Sequence, residues 1–287
     1  MISIITPTYN RAHLLAKLYG SLKPQIFRDF EWIVVDDGST DDTQIAVQNF
    51  IQDATFTINY IHKENGGKHS AVNLGVKEAK GELVFIVDSD DTLPEDSLQI
   101  INRYWQQVKD DTNFGGIVGY MAHHDGKIIG NGNDDEVLDC TELEMRYRYN
   151  IHGDMCEVFR TSVLKEFPFP VYDGEGFCPE ALVWNRIATK YRLRIFHEIV
   201  YFRDYLEGGI TDHMTRVRMN SPVASVTYYK ELIEYAIPLK EKIKGAINYW
   251  RFYFCLKNRQ YAPQISPRWY WTRPLGWAMH CRDKSNA

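Results

Sequence analysis

The sequence predicts an α/β fold, a mainly parallel sheet flanked by helices with a C-terminal helical extension, and three observations predict it. Over the first hundred residues, short apolar runs of strand character alternate with segments of helical period. The strand runs are apolar throughout instead of alternating, as in a parallel sheet covered on both faces. After Pro222 the chain carries long helical periods with few breakers, and its charge changes sign.

Taken in order, Ile2 to Thr6 is rich in β-branched residues and is ended by Pro7, and Arg11 to Leu22 sets Leu14, Leu15, Leu18 and Leu22 at helical spacing. Glu31 to Val35 reads as a second strand that stops at Asp36-Asp37-Gly38-Ser39-Thr40, and Thr43 to Ile51 as a second helix. Thr57 to His62 is the third strand, Lys68 to Lys80 the third helix, closed by Gly81, and Leu83 to Val87 the fourth strand. Three polar loops, Pro7 to Arg11, Asp36 to Asp42 and Asp88 to Thr92, then lie beyond the carboxyl ends of parallel strands, where open α/β sheets bind ligands. Past Asp110 the pattern becomes irregular, with Gly115-Gly116, the polar GNGNDDE stretch from Gly130 to Glu136 and the prolines Pro168 and Pro170. This region is expected to be the elaborated second half of the same domain, with Leu182 to Lys190 helical and Arg192 to Tyr201 a strand. The expected organisation is one domain over 1–219, with halves 1–110 and 111–219. An extension over 220–287 follows, helical to Pro238 and again from Leu239 to Lys257.

Composition narrows the function classes. With 44% hydrophobic and 25% charged residues in 287, the chain has enough apolar surface for a sizeable core and is neither disordered nor collagen-like. Five cysteines, odd in number and without a CxxC pair, argue against a disulfide framework and a structural zinc site. No apolar run approaches the roughly 20 residues of a membrane-spanning helix. Met1 leads into the ISIITP run with no basic segment or small-residue cleavage site, so a cytoplasmic location is expected. The net charge of −5 is unevenly spread: Tyr228 to Ala287 holds six Lys and five Arg against four acids, giving +7 and leaving −12 for the remainder. Trp250, Trp269, Trp271 and Trp277 also fall there, among Arg251, Arg268 and Arg273. That mixture fits peripheral contact with the inner face of a plasma membrane, or equally a core or dimer contact. An acidic body and a basic tail without a recognised module give no support to nucleic-acid binding.

Asp88-Ser89-Asp90-Asp91 is the most informative segment. Carboxylates one residue apart, just past a buried strand, can hold a hard divalent cation and leave positions open for phosphate oxygens. The same residues also suit a strand end followed by a helix cap, with Pro94 in the first turn. Asp36-Asp37 is equally two-sided, since a carboxylate after a strand accepts from a ribose or base edge, or caps a turn through Gly38.

Four segments in succession are more specific than any one: ITPTYNR (5–11), WIVVDDGSTDDT (32–43), ENGGKHSAVNLG (64–75) and GELVFIVDSDD (81–91). Together they resemble glycosyltransferase family 2, nucleotide-sugar-dependent enzymes of the GT-A fold, over about the first hundred residues. The resemblance implies that Thr6, Pro7, Thr8, Tyr9 and Arg11 line the nucleotide site and that Asp36 holds the base, usually uracil. It further implies that Asp88, beside Ser89, contacts ribose, and that Asp90 ligates Mg²⁺ or Mn²⁺ on the diphosphate of a UDP-sugar. Lys68 is then a base or phosphate contact, against the alternative of a solvated surface lysine. In the second half, HGDMCEVFR (152–160) and GEGFCPEALVWNRIA (174–188) stand where the family places its acceptor strand and acidic motif.

Direct displacement by a sugar hydroxyl needs a carboxylate to take its proton. Glu180 is the candidate base, with Asp154 and Glu175 next in line. Many relatives carry Glu-Asp at this motif, whereas Ala181 follows Glu180 here. YLEGGITDHMTRVR (205–218) resembles the loop folded over the donor, which makes His213 and Arg218 candidate diphosphate contacts and leaves Arg216 an ordinary surface residue. The expectation is therefore inverting, metal-dependent transfer to a carbohydrate or lipid-linked acceptor, as in bacterial surface polysaccharide synthesis. Two alternatives stand beside it. A nucleotidyltransferase would show a Gly-rich basic loop after the first strand, where TPTYNR stands; a sugar-nucleotide-binding scaffold subunit has Ala181 in its favour.

Overall fold

The computed structural model describes residues 1–132, 136–203 and 213–285. It divides into two compact units, Met1–Pro168 with Arg186–Asp204, and Phe169–Asn185 with Tyr205–Ala287. These units interleave along the chain.

The first unit is built on one eight-stranded sheet. Its strands are β1 (Ile2–Thr8), β2 (Phe30–Asp36), β3 (Thr57–His62), β4 (Leu83–Ile86), β5 (Phe114–Ala122), β6 (Val137–Cys140), β7 (Met155–Arg160) and β8 (Arg192–Phe202). Its helices are α1 (Ala12–Leu22), α2 (Thr43–Asp53), α3 (Lys68–Glu78), α4 (Ser97–Gln106), α5 (Glu142–Tyr147) and α6 (Thr161–Glu166). The strand order is β3-β2-β1-β4-β7-β5-β8-β6. β1 to β4 are mutually parallel, β5 runs parallel to β8, and β7 and β6 are antiparallel to their neighbours. The chain reverses its direction of winding between β1 and β4, which places a crevice beyond their carboxyl ends.

The first four strands and the three helices between them match their expected positions closely. β1 nevertheless continues through Pro7 to Thr8, with Pro7 opposite Val35. Ile5, whose backbone polar groups face the same side as those of Pro7, accepts from Val87 just past the end of β4, so Pro7 falls where the β1–β4 ladder stops. Leu15, Leu18 and Leu22 of α1 pack with Trp32, Val34 and the α4 residues Leu98, Ile101 and Trp105 in one cluster, each buried aliphatic contributing about 2 kcal/mol. On the opposite face α3 comes so close that a Cβ at Gly75 would lie 2.5 Å from the Ile5 side chain.

In the second unit, α8 (Met214–Asn220), α9 (Pro222–Leu232), α10 (Leu239–Tyr253) and α11 (Arg273–Ser285) are joined by 3₁₀ turns at Arg259–Tyr261 and Pro267–Thr272. α7 (Glu180–Ile187) begins in this unit. Val226, Ile233, Tyr249, Trp250, Phe252 and Trp269 form its core. Two of the four C-terminal tryptophans are therefore core residues, while Trp271 and Trp277 are 57% and 53% exposed. Among the described residues no helix is long and apolar enough to cross a membrane. The five cysteines are free thiols, three of them buried.

Candidate active site

Loops after β1, β2, β3 and β4 converge, and hydrogen bonds between loops fix each one. Asn10 takes the left-handed conformation (φ 52°) that asparagine tolerates. Its side-chain oxygen accepts from Thr40 N (2.8 Å), and its own N–H donates to Ser39 Oγ (2.8 Å). Asp41 Oδ2 accepts from Ala12 N at 3.1 Å. The first two loops are thus a single laced unit.

Asp36 and Asp37 face different tasks. Asp36, buried, accepts from Tyr60 Oη at 2.5 Å and Ser39 N at 2.8 Å. Asp37 accepts from Gly66 N (2.9 Å), Gly67 N (2.7 Å) and Lys63 Nζ (2.6 Å), which pins the glycine loop to the end of β2. Gly38 (φ 86°) allows the turn between them, and a Cβ there would stand 2.9 Å from Asn65 N. Pinning that loop starts α3 at Lys68, immediately after Gly67 (φ 87°).

Beyond β4, Asp88, Asp90 and Asp91 bring carboxylate oxygens within 4.8 Å of one another. Two cations meet them: Lys68 Nζ lies 2.6 Å from Asp88 Oδ1, and Arg11 Nη1 lies 3.0 Å from Asp90 Oδ2. Lys68 pairs with this cluster while its side chain stays 40% exposed. Burial opposes the charge of Asp88, but the Lys68 ammonium, joined by Arg203 and Arg11, holds that carboxyl below its ordinary range. Asp91 goes the other way. Its burial, and then the Asp88 charge, push it up to about 7, although Tyr201 Oη donates to its Oδ2 at 2.6 Å. Arg203 pairs with Asp154 at 2.9 Å and also feels the charges of Asp88 and Asp91. Asp154 is therefore linked to the cluster through Arg203.

The remaining expected residues are placed as follows. Thr6 is fully buried and its hydroxyl accepts from Trp32 Nε1 at 2.9 Å, a contact inside the sheet. Pro7 and Thr8 are buried at the crevice, Thr8 Oγ1 having no hydrogen-bond partner among the described residues. Tyr9 is exposed. Ser89, buried, stands 3.5 Å from Arg11 Nη1.

In the second unit, Glu180 is exposed in the first turn of α7. Glu175 is buried and accepts from Val223 N (2.6 Å) and Ala224 N (2.8 Å), so it caps α9. Such a charge-assisted pair of bonds is worth on the order of 2–3 kcal/mol. Burial raises its carboxyl above the ordinary range despite those two bonds. Arg218 lies over the rings of Phe177, Tyr228 and Tyr229, 5.3–5.9 Å from their centroids. His213 is exposed at the start of α8, and residues 205–212 of the expected donor loop lie outside the described residues.

Sequence reasoning missed Asp91, Tyr201 and Arg203. Asp91 had a signal in its neighbours; the other two stand more than a hundred residues away with none. Three converging carboxylates are hard oxygen donors of the kind that Mg²⁺ and Mn²⁺ accept, so the donor set fits a divalent ion.

A mainly parallel sheet with this acidic cluster at its switch point, followed by C-terminal helices, defines the GT-A fold of nucleotide-sugar transferases. Solved structures with that fold superpose over nearly the whole chain. Staphylococcus aureus TarS matches with a TM-score of 0.65 at 18% identity, over 97% of this chain and 54% of TarS. TarS 1-349 in complex with UDP-GlcNAc matches at 0.63 and 20%, over 97% and 89%. The mannosyltransferase PcManGT of Pyrobaculum calidifontis, in complex with GDP-Man and Mn²⁺, matches at 0.59 and 20%, over 100% and 75%.

The chain belongs to glycosyl transferase family 2, whose family model matches residues 3–161. An uncharacterized glycosyltransferase of Rickettsia conorii is 37% identical over 76% of this chain and 33% of its own length. The GalNAc(5)-diNAcBac-PP-undecaprenol β-1,3-glucosyltransferase of Campylobacter jejuni is 30% identical over 73% of this chain and 67% of its own. The chain spans about one third of the length of the rickettsial relatives and 40% of the pneumococcal glycosyltransferase GlyG.

Proposed function

We propose that the chain transfers a sugar from a UDP-sugar to a carbohydrate or lipid-linked acceptor in surface polysaccharide synthesis, with inversion and with Mn²⁺ or Mg²⁺. The observation that carries this reading is the trio Asp88, Asp90 and Asp91 at the end of β4, met by Lys68 and Arg11. Carboxylates for a metal and cations for a diphosphate are the two halves of a nucleotide-diphosphate site. Relatives support the substrate classes: one carries UDP-GlcNAc, and one is named for an undecaprenol-linked acceptor.

In this reading residues 1–219 are the transferase domain, and Thr8, Pro7, Tyr9 and Asp36 line the nucleoside pocket. Arg11 and Lys68 set positive charge against the diphosphate, with Arg218 and His213 as further contacts. A divalent ion held by Asp90, with Asp88 and Asp91, would neutralise the diphosphate and make it a better leaving group. Glu180 accepts the acceptor hydroxyl proton as that oxygen bonds the anomeric carbon and the bond from that carbon to the diphosphate breaks. Titrating UDP into the protein calorimetrically is expected to show binding with Mn²⁺ that weakens at least about tenfold in chelator. Equal affinity in both solutions would remove the metal from the reading, and no binding in either would remove UDP.

The extension fits a peripheral place at the inner face of a membrane. Arg273 lies over Trp250 and Phe254, with the exposed Tyr270 and Trp277 against those same rings, in one continuous aromatic and cationic ledge. Three acids of the extension are paired: Glu234 with Lys230, Glu241 with Lys244 and Asp283 with Arg251. Vesicles containing phosphatidylglycerol are expected to carry the protein upward in flotation, and Trp271→Ser with Trp277→Ser to abolish this. Flotation of both proteins alike, or of neither, would sink the idea.

A further inference from the structure

Tyr201 ends the buried run of β8, and its hydroxyl does two things at once. It donates to Asp91 Oδ2 at 2.6 Å and accepts from Asp88 N at 3.0 Å. The first and last acids of the Asp88–Asp91 turn are thereby tied to one oxygen. The turn is closed on itself by Asp91 N donating to Asp88 O (3.2 Å). One residue further on, Thr92 and Phe202 exchange backbone hydrogen bonds of 3.1 and 2.9 Å, so the turn is moored to β8 by backbone as well as by side chain.

The phenol has little freedom to leave. Tyr201 is 2% exposed and its ring lies against Phe85 of β4 at 6.1 Å. Two residues on, and so on the same side of an extended chain, Arg203 supplies positive charge to Asp88 and Asp91 and an ion pair to Asp154. A strand from the second half of the domain therefore orients the acids that follow β4. Arg11 and Lys68 engage Asp90 and Asp88, and the Asp91 side chain is held by Tyr201.

We propose that Tyr201 is a positioning residue for the divalent-ion site: its hydroxyl fixes the rotation of Asp91 and the height of Asp88, and the arrangement of the three carboxylates depends on it. This inference rests on the reading of Asp88, Asp90 and Asp91 as metal-holding residues. It adds that the ion's affinity is set in part by a residue that does not touch the ion. Partners one step out from a metal's ligands change its affinity by about 10- to 100-fold when removed.

The test is Tyr201→Phe, which removes one oxygen and leaves the ring, read by electron paramagnetic resonance titration of Mn²⁺ in the presence of UDP. The expected result is a Mn²⁺ dissociation constant raised at least about tenfold, with UDP affinity in chelator unchanged within about twofold. Asp91→Ala, alone and combined with Tyr201→Phe, completes a cycle in which the double variant is expected to be little worse than Asp91→Ala alone, because the phenol acts on the ion largely through the Asp91 carboxylate. A Tyr201→Phe protein with a lowered melting temperature but wild-type Mn²⁺ affinity would overturn the proposal, since a purely structural hydroxyl predicts that pattern. If the wild-type protein itself takes up no Mn²⁺ with UDP, the metal reading fails and the proposal with it; wild-type uptake with an unchanged variant defeats the proposal alone.

Discussion

Asp90→Ala is expected to lower turnover by on the order of 10²- to 10³-fold while the protein keeps its fold. Asp90 is partly exposed, and its structural partner is the guanidinium of Arg11, itself one-third exposed. An ion pair at such a surface contributes about 0–1 kcal/mol, so its removal barely touches stability. The loss falls instead on the reaction, because an uncompensated diphosphate is a poor leaving group. The measurement is kcat with a UDP-sugar and saturating Mn²⁺, set beside circular dichroism melting. A variant with wild-type turnover would show that Asp90 does not hold the ion that matters.

The second large effect is expected at Glu180. Glu180→Gln preserves size and polarity but cannot take a proton, so kcat is expected to fall by about 10²- to 10⁴-fold with UDP affinity intact. Asp90→Ala and Glu180→Gln thus separate cleanly: the first loses metal-dependent donor binding and turnover together, the second turnover alone. A sugar-nucleotide-binding scaffold predicts something different, since Glu180→Gln would leave every assay unchanged. Glu175→Gln gives the comparison. Glu175 holds the N-terminus of α9 through two backbone N–H groups, so its replacement belongs to the stability of that helix.

The first four strands and the three helices between them were legible because β1, β2 and β4 are mostly apolar and the helices show by spacing, although β3 (TINYIH) is mixed and only half-buried. The pinned loops were legible as motifs for the same reason that they work: Asp36, Asp37, Gly38 and the glycines before Lys68 are fixed by backbone geometry within a short stretch. The second half was harder. β6 and β7 are short and run antiparallel to strands distant in sequence, so no local period reveals them. Lys68 reads equally as a nucleotide contact or a surface lysine, and its pairing with Asp88 is visible only once the two loops are folded together. Glu175 reads as a possible base until α9, nearly fifty residues later, presents its N–H groups. Tyr201 is only the end of an apolar strand until its hydroxyl meets Asp91. In each case a pairing across the fold decides the role, and one-dimensional spacing carries none of it.

The place of β8 has a practical side. It lies between β5 and β6, although it is the last strand in the chain and begins three decades of residues beyond the span matched by the family model. A fragment cut where that match stops would hold the glycine loop and all three aspartates, yet would leave β5 with a bare edge and β6 with no neighbour. Unpaired apolar edges of that kind recruit other chains. For anyone expressing, splitting or fusing this domain, the usable boundary therefore lies past Phe202, and a fragment chosen from motif coverage alone invites inclusion bodies.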